Sequence, residues 1–210
     1  MRRETHIGTN DGLDLIFSAS LSYGSNGVDT VNNVTPVLTN GSYNQALDAF
    51  YASAMRDQRA SLKYDMLNTY FWQKIQAAKT VVVKFDIYPT TNNNYGTPLA
   101  IGEYISSSYN GFFLRSEGFQ ADPRSANTAT STVACPINQW TTIQYTLQNI
   151  TTNSADVIST NTYNNITSSP SAFTIQRNQG CMRYISVLGK IWGGGGTITA
   201  YIRNIRIWSD

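Results

Sequence analysis

Thr197-Ile198-Thr199-Ala200-Tyr201-Ile202-Arg203-Asn204-Ile205-Arg206-Ile207-Trp208 alternates apolar and polar residues, the period of a strand with one face buried. The phase slips once. Ile198, Ala200 and Ile202 share one face; Ile205 and Ile207 also share a face, but it begins three residues after Ile202 rather than two. One extra residue at Arg203-Asn204 restores the core face, which is what a β-bulge does. The stretch reads as a bulged closing strand with Trp208 at its end, and it predicts a β-sandwich.

Other strands follow by the same test. Val81, Val83, Phe85 and Ile87 alternate with Val82, Lys84, Asp86 and Tyr88, and Pro89, which has no amide hydrogen to donate, stops the run. Trp140, then Ile143, Tyr145 and Leu147, mark another strand, with Gln144 and Thr146 facing water. Leu13, Leu15 and Phe17 alternate with Asp14 and Ile16 after the Asn10-Asp11-Gly12 turn, and Leu62, Tyr64 and Met66 alternate with Lys63 and Asp65. Leu99-Ala100-Ile101 and Phe112-Phe113-Leu114 flank turn-rich residues 106–111 as a hairpin. Phe173 with Ile175, and Ile185 with Val187, give short strands. Residues 24–41, 90–96 and 121–132 read as loops, the first with short strand pieces, and the polar segment 151–170 as a protrusion. Residues 44–59 hold Ala46, Leu47, Ala49, Phe50, Ala54 and Met55 without Gly or Pro, which permits one short helix. Tyr70-Phe71-Trp72 reads as a loop or edge cluster, and residues 193–196 as a glycine turn into the closing strand.

The order of these strands resembles the concanavalin A-like, laminin-G-type jelly roll. Lys79-Thr80-Val81-Val82-Val83-Lys84-Phe85-Asp86-Ile87-Tyr88-Pro89-Thr90 is similar to that family's "TxSFWVYPT" strand, Asn138-Gln139-Trp140-Thr141-Thr142-Ile143-Gln144-Tyr145 to its "xxWHHVAVTYD" strand, and Ile202-Arg203-Asn204-Ile205-Arg206-Ile207-Trp208 to its closing "IDNVRIY". Asp11-Gly12-Leu13-Asp14-Leu15 is a weaker match to the opening strand. Arg203 stands where the family often has Asp, and residues 44–78 are longer and richer in Tyr and Ala than the pattern. The resemblance implies an all-β fold, an antiparallel two-sheet β-sandwich of jelly-roll type. It covers residues 79–208. The family holds lectins, glycan-binding modules, glycosidases and virion appendage domains, so the fold alone does not fix a function.

Composition narrows the field. No internal repeat or linker breaks the 210 residues, a length common for one β-sandwich, so a single domain over 1–210 is expected, best supported over 78–209. Charged residues make up 13% of the chain, well below the usual quarter or so. The polar surface comes instead from Asn, Thr, Ser and Gln, with 20 Asn. A net charge of +2 gives no general case for nucleic acid or an anionic membrane. Met1-Arg2-Arg3-Glu4-Thr5-His6 is not followed by an apolar signal core of roughly 7–15 residues, and no window approaches the ~20 apolar residues of a membrane span. Without secretion, Cys135 and Cys181 are expected to be free thiols rather than a bridge, and the sequons at Asn33, Asn40, Asn149 and Asn165 to be products of composition.

Catalytic material is scarce. A retaining glycosidase needs two carboxylates about 5 Å apart, and the Glu-x-Asp-x-x-Glu pattern is absent. Of the three glutamates, Glu103 and Glu117 are the pair a hairpin would bring together, with ordinary surface carboxylates as the favoured reading. Asp11, Asp14 and Asp29 near the first strand suit turns and caps better than a calcium site. His6 is the sole histidine, which leaves little material for zinc or a Ser-His-Asp triad. Arg203 and Arg206, with Arg2 and Arg3, amount to ordinary surface. No catalytic residue, metal or cofactor is expected.

Sugar binding has better candidates, because exposed aromatics stack on sugar faces while Asn and Asp bond hydroxyls. These are Asn93 and Tyr95, Tyr104 and Tyr109 with Asn110, and Trp192 beside the glycine run, all placed in loops; Trp140 and Trp208 are expected to cap the core. The first expectation is a non-catalytic bacteriophage virion protein (capsid decoration, head fibre or tail-associated) that packs against other virion proteins or itself and touches a host surface glycan. The alternative is a stand-alone lectin-like module, extracellular or at a cell surface, and the third a glycoside hydrolase.

Overall fold

The computed structural model describes residues 12–54, 61–90, 96–105, 108–117, 120–125, 128–129, 133–134, 136–151, 154–162, 167, 171–174, 181–189 and 198–210. In chain order these form β1 (Asp14–Ala19), β2 (Val37–Leu38), β3 (Ser42–Asn44), β4 (Ala49–Ala54), β5 (Leu62–Asp65), helix α1 (Tyr70–Ile75), β6 (Val81–Pro89), β7 (Gly96–Ile105), β8 (Ser108–Glu117), β9 (Gln120–Ser125), β10 (Thr128–Ala129), β11 (Val133–Ala134), β12 (Thr141–Gln148), β13 (Ser154–Asn161), β14 (Ser171–Thr174), a 3₁₀ turn at Cys181–Arg183, β15 (Tyr184–Gly189) and β16 (Ile198–Ser209). They build two antiparallel sheets. The first runs β14-β13-β12-β6-β16-β4-β3, with β1 also on β16; the second runs β10-β9-β8-β7-β15-β5-β2, with β11 on β9. The chain is therefore an antiparallel two-sheet β-sandwich.

The core lies between the sheets. From the first come Phe17, Phe50, Val83, Phe85, Ile87, Ile143, Tyr145, Leu147, Ile202, Ile205 and Ile207; from the second Leu62, Tyr64, Leu99, Ile101, Ile185 and Val187, all buried in one cluster. β12 alternates as expected and so does β6 from Val83 onward, while Val82, expected on the outward face, is buried as well; Pro89 is the last residue of β6.

The closing strand carries its bulge where the phase slip predicts it. Arg203 faces Asp86 and Arg206 faces Lys84, three steps on β16 against two on β6. Asn204 takes the extra position at φ +54°, a left-handed conformation that Asn tolerates better than most side chains. Its amide donates to the Ser20 carbonyl at 2.8 Å, and Ile205 and Ile207 regain the core. Trp208 is buried too, but it pairs with Val82 on the outward side of the sheet.

Several segments fold otherwise than expected. The described part of the expected helix, residues 44–54, is not helical: Ala49–Ala54 is β4, where Phe50 and Ala52 go inward and Tyr51 and Ser53 outward, and residues 55–59 lie outside the described residues. Alanine's helix preference of under about 1 kcal/mol per residue yields to a strand ladder against β16. The helix is instead α1, at the expected Tyr70-Phe71-Trp72 loop. Thr69 caps it, its Oγ1 accepting from the Trp72 amide at 3.2 Å, and Phe71 and Ile75, one turn apart, are buried. β1 bulges at Ile16, which is buried beside Phe17 instead of facing out. The expected loop 121–132 holds most of β9 and β10, and the expected protrusion 151–170 holds β13, which hydrogen-bonds to β12 through its backbone. The glycine run 193–196, His6 and Cys135 lie outside the described residues.

Candidate functional site

The outward face of the first sheet presents a row of aromatic rings. β4, β16 and β6 put Tyr51, Tyr201 and Tyr88 directly opposite one another. Trp140, just before β12, continues the register in which Thr141 faces Ile87 and comes to rest beside Tyr88. The alternation that sends Phe50, Ile87 and Ile202 into the core forces these four rings out. Ring centroids lie 4.7 Å apart for Tyr51–Tyr201, 5.9 Å for Tyr201–Tyr88 and 5.6 Å for Tyr88–Trp140; the first and last pairs are tilted and the middle pair meets edge to face. All four rings are half-buried, so each retains a solvent-facing part. The row crosses three strand spacings, about 14 Å.

Polar groups border it on both sides. On one side, the Ser53 and Thr199 hydroxyls are 3.2 Å apart and Thr90 Oγ1 donates to the Thr199 carbonyl at 3.0 Å. On the other, the Asp86 carboxylate accepts from Thr142 Oγ1 and Asn204 Nδ2, each at 2.7 Å. The Arg203 guanidinium lies 4.1 Å over the Trp140 ring and holds the Leu47 carbonyl at 3.2 Å. Its Nε is 3.7 Å from Asp86, an ion-pair distance too long for a hydrogen bond, and has no other partner. The bulge thus aims Arg203 at Trp140, as bulges re-aim side chains elsewhere. Rings that stack on apolar faces, bordered by hydroxyl, carboxylate and guanidinium groups, match the two-sided chemistry of a sugar: C–H faces and hydroxyl edges.

The residues named from the sequence fall elsewhere. Asn93, Tyr95 and Trp192 lie outside the described residues. Tyr104, Tyr109 and Asn110 are not in a loop but in β7 and β8 of the other sheet, with Tyr104 opposite Tyr109 and Glu103 opposite Asn110. The hairpin strands pair as far as Ile105 opposite Ser108, because backbone pairing continues where composition suggested a turn. Glu103 and Glu117 do not face each other: Asn110, opposite Glu103, is seven residues from Glu117, roughly 23 Å along the strand, far beyond the spacing of a glycosidase pair. Trp140 is no core cap but part of the outer row.

Of the aspartates near the first strand, Asp11 lies outside the described residues, and Asp14 and Asp29 serve the structure. Asp14 accepts from the Tyr70 hydroxyl and pairs with Lys74, both at 2.8 Å. Asp29 is fully buried and accepts from the Ser18, Val31 and Asn32 amides and the Asn32 side chain; burial raises its carboxyl above the ordinary value, against the pull of those donors. Among the described residues no three His, Cys, Asp or Glu side chains gather as metal ligands, and no helix is long and apolar enough to cross a membrane.

No family model and no curated sequence matches the chain. Solved structures do, in fold. Botulinum neurotoxin type C, whose cell entry depends on interaction with two ganglioside molecules, superposes with a TM-score of 0.61 at 13% identity over 92% of this chain and 47% of that one. The binding domain of botulinum neurotoxin DC in complex with SialylT gives 0.58 at 13%, over 92% and 48%. A Trypanosoma rangeli sialidase gives 0.62 at 13%, over 92% and 30%. The chain spans about half the length of these toxin chains. Such distant likeness establishes the shared β-sandwich architecture and nothing of activity.

Proposed function

We propose that this chain is a single non-catalytic binding module whose ligand is a glycan, held on the outer face of the first sheet. The observation that carries the reading is the row Tyr51–Tyr201–Tyr88–Trp140, with its hydroxyl border on one side and Asp86–Arg203 on the other. Neighbours of the same fold that engage ganglioside molecules and SialylT support it. Aromatic contacts contribute about 0.5–1.5 kcal/mol each beyond their buried area, so one ring removed costs about tenfold in affinity. A glycan array followed by calorimetric titration of the best hit tests the reading, with Tyr88→Ala and Trp140→Ala in parallel. Binding by the native chain and a tenfold or greater loss in each variant are expected. Silence across the array, or binding indifferent to both substitutions, overturns it.

A second reading, a bacteriophage virion protein packed against other virion proteins or its own copies, is supported by the charge-poor surface and by Val37 and Leu38. These adjacent edge-strand residues of β2 are 68% and 52% exposed, and an exposed apolar edge favours pairing with another chain. Native mass spectrometry and co-purification with particles separate the readings: an inert monomer absent from particles rules out the second.

A further inference from the structure

We propose, building on the glycan reading, that the ligand is acidic and that Lys84 and Arg206 receive its carboxylate or sulfate. The two residues face each other directly on β6 and β16, two strand positions beyond the Arg203–Asp86 pair. Both are exposed, and both point to the outer face, since Val83, Phe85, Ile205 and Ile207 on either side of them are buried in the core. Like charges placed directly opposite in a sheet destabilise it. Among the described residues neither cation has a carboxylate partner: the ion pairs there join Lys74 to Asp14, Arg183 to Asp65 and Arg203 to Asp86. Asp86, two positions from Lys84 on the same face of β6, is already engaged by Thr142, Asn204 and Arg203. Gln144, opposite Lys84 on β12, adds a neutral polar group to the same row.

A chain with 13% charged residues has ample means to avoid an unneutralised pair on its own central strands. The pair sits there beside the aromatic row, where a ligand can supply the missing negative charge. Lys84 is four residues from Tyr88, about 13 Å along the strand, so the acid belongs to a different sugar unit from the one that stacks on the rings, further along the ligand. The ligand is therefore an acidic oligosaccharide lying along β6 and β16, anchored by stacking at one end and by charge at the other.

Titration with four probes tests this: tetragalacturonate (carboxylate), its methyl ester (neutral), a chondroitin sulfate tetrasaccharide (sulfate) and a single-stranded oligonucleotide. At low salt, at least one acidic sugar is expected to bind tenfold or more tightly than the methyl ester, and the margin to shrink as salt screens it. The double variant Lys84→Gln/Arg206→Gln is expected to bind acidic and neutral sugars alike while keeping the native affinity for the methyl ester. In the absence of ligand it is expected to melt no lower than the native chain, since a repulsive pair has gone. Which acidic probe binds more tightly decides between carboxylate and sulfate. Binding of the methyl ester without acidic preference, or a preference that survives the double variant, overturns the inference and leaves the glycan reading standing. Loss of every sugar, or tightest binding to the oligonucleotide, overturns both.

Discussion

Asn204 connects fold and site in one residue. Its left-handed backbone (φ +54°) makes the bulge, its amide closes on Ser20, and its side chain holds Asp86 at 2.7 Å. An alanine there meets a conformation that costs L-residues about 1–2 kcal/mol and loses the carboxylate contact; a glycine loses the contact only. Urea midpoints are expected to fall in the order native, Asn204→Gly, Asn204→Ala, and an alanine variant as stable as the native chain would show that the bulge is not under this constraint. Tyr43 makes a second case. Its hydroxyl is buried without a hydrogen-bond partner, and burial pushes its pKa up from 10.0 to about 12. A group that ionises later in the folded than in the unfolded state contributes stability that is complete below pH 10 and is lost as the pH rises through about 12. Tyr64, raised further by burial beside it, adds to the same loss. Tyr43→Phe is expected to leave stability at pH 7 unchanged or slightly higher, because an unsatisfied hydroxyl is removed, and to flatten the decline between pH 10 and 12. Denaturation at pH 8 and 11 measures both.

At the scale of elements, α1 is too short to stand alone and is tied down from outside. Asn32 donates to the Ile16 carbonyl at 2.8 Å and to Asp29 at 2.6 Å, and accepts from the Phe71 amide at 3.1 Å. One side chain thus joins the β1 bulge, the buried aspartate and the first turn of the helix. Asn32→Ala removes all three bonds, and at about 1 kcal/mol each it is expected to cost about 2–3 kcal/mol and to speed hydrogen exchange of the Phe71 amide before that of β6; unchanged exchange at Phe71 would refute the coupling. The same elements show what the sequence makes legible. β6, β12 and β16 are readable because one face is buried and the period is two, down to the bulge at Asn204. β4 is hidden because Ala49, Ala52 and Ala54 suit helix and strand alike, and only pairing with β16 decides. β13 is hidden because Ser154–Asn161 pairs through its backbone while its side chains are mostly polar. α1 spans less than two turns, leaving Thr69 and the Phe71–Ile75 spacing as its whole signature. The aromatic row is harder still. Tyr51, Tyr88, Trp140 and Tyr201 are far apart in sequence, and their adjacency is a fact of register across four strands rather than of any local pattern.

Across the whole molecule, the central strands divide their labour by face. On β6 the inward residues Val83, Phe85 and Ile87 belong to the core, while Lys84, Asp86 and Tyr88 carry the outer surface; on β16 Ile202, Ile205 and Ile207 face in, while Tyr201, Arg203 and Arg206 face out. Neighbouring residues therefore respond oppositely to the same substitution. Ile202→Ala leaves a void among side chains from both sheets and is expected to cost about 2–5 kcal/mol, with glycan affinity per folded molecule preserved. Tyr201→Ala, one residue away, gives up cross-strand contacts with Tyr51 and Tyr88 worth about 0.2–1 kcal/mol apiece, a loss of no more than about 2 kcal/mol, and is expected to weaken glycan binding tenfold or more. Calorimetric melting and titration on the two variants place each on both axes. If Ile202→Ala weakens binding in the fully folded protein as much as Tyr201→Ala does, recognition depends on the core packing beneath the sheet and the two faces are not separable. If the outcomes cross as expected, the sandwich is a rigid support whose outer face can change its ligand without endangering the fold, which is how one architecture serves proteins that share only 13% of their residues.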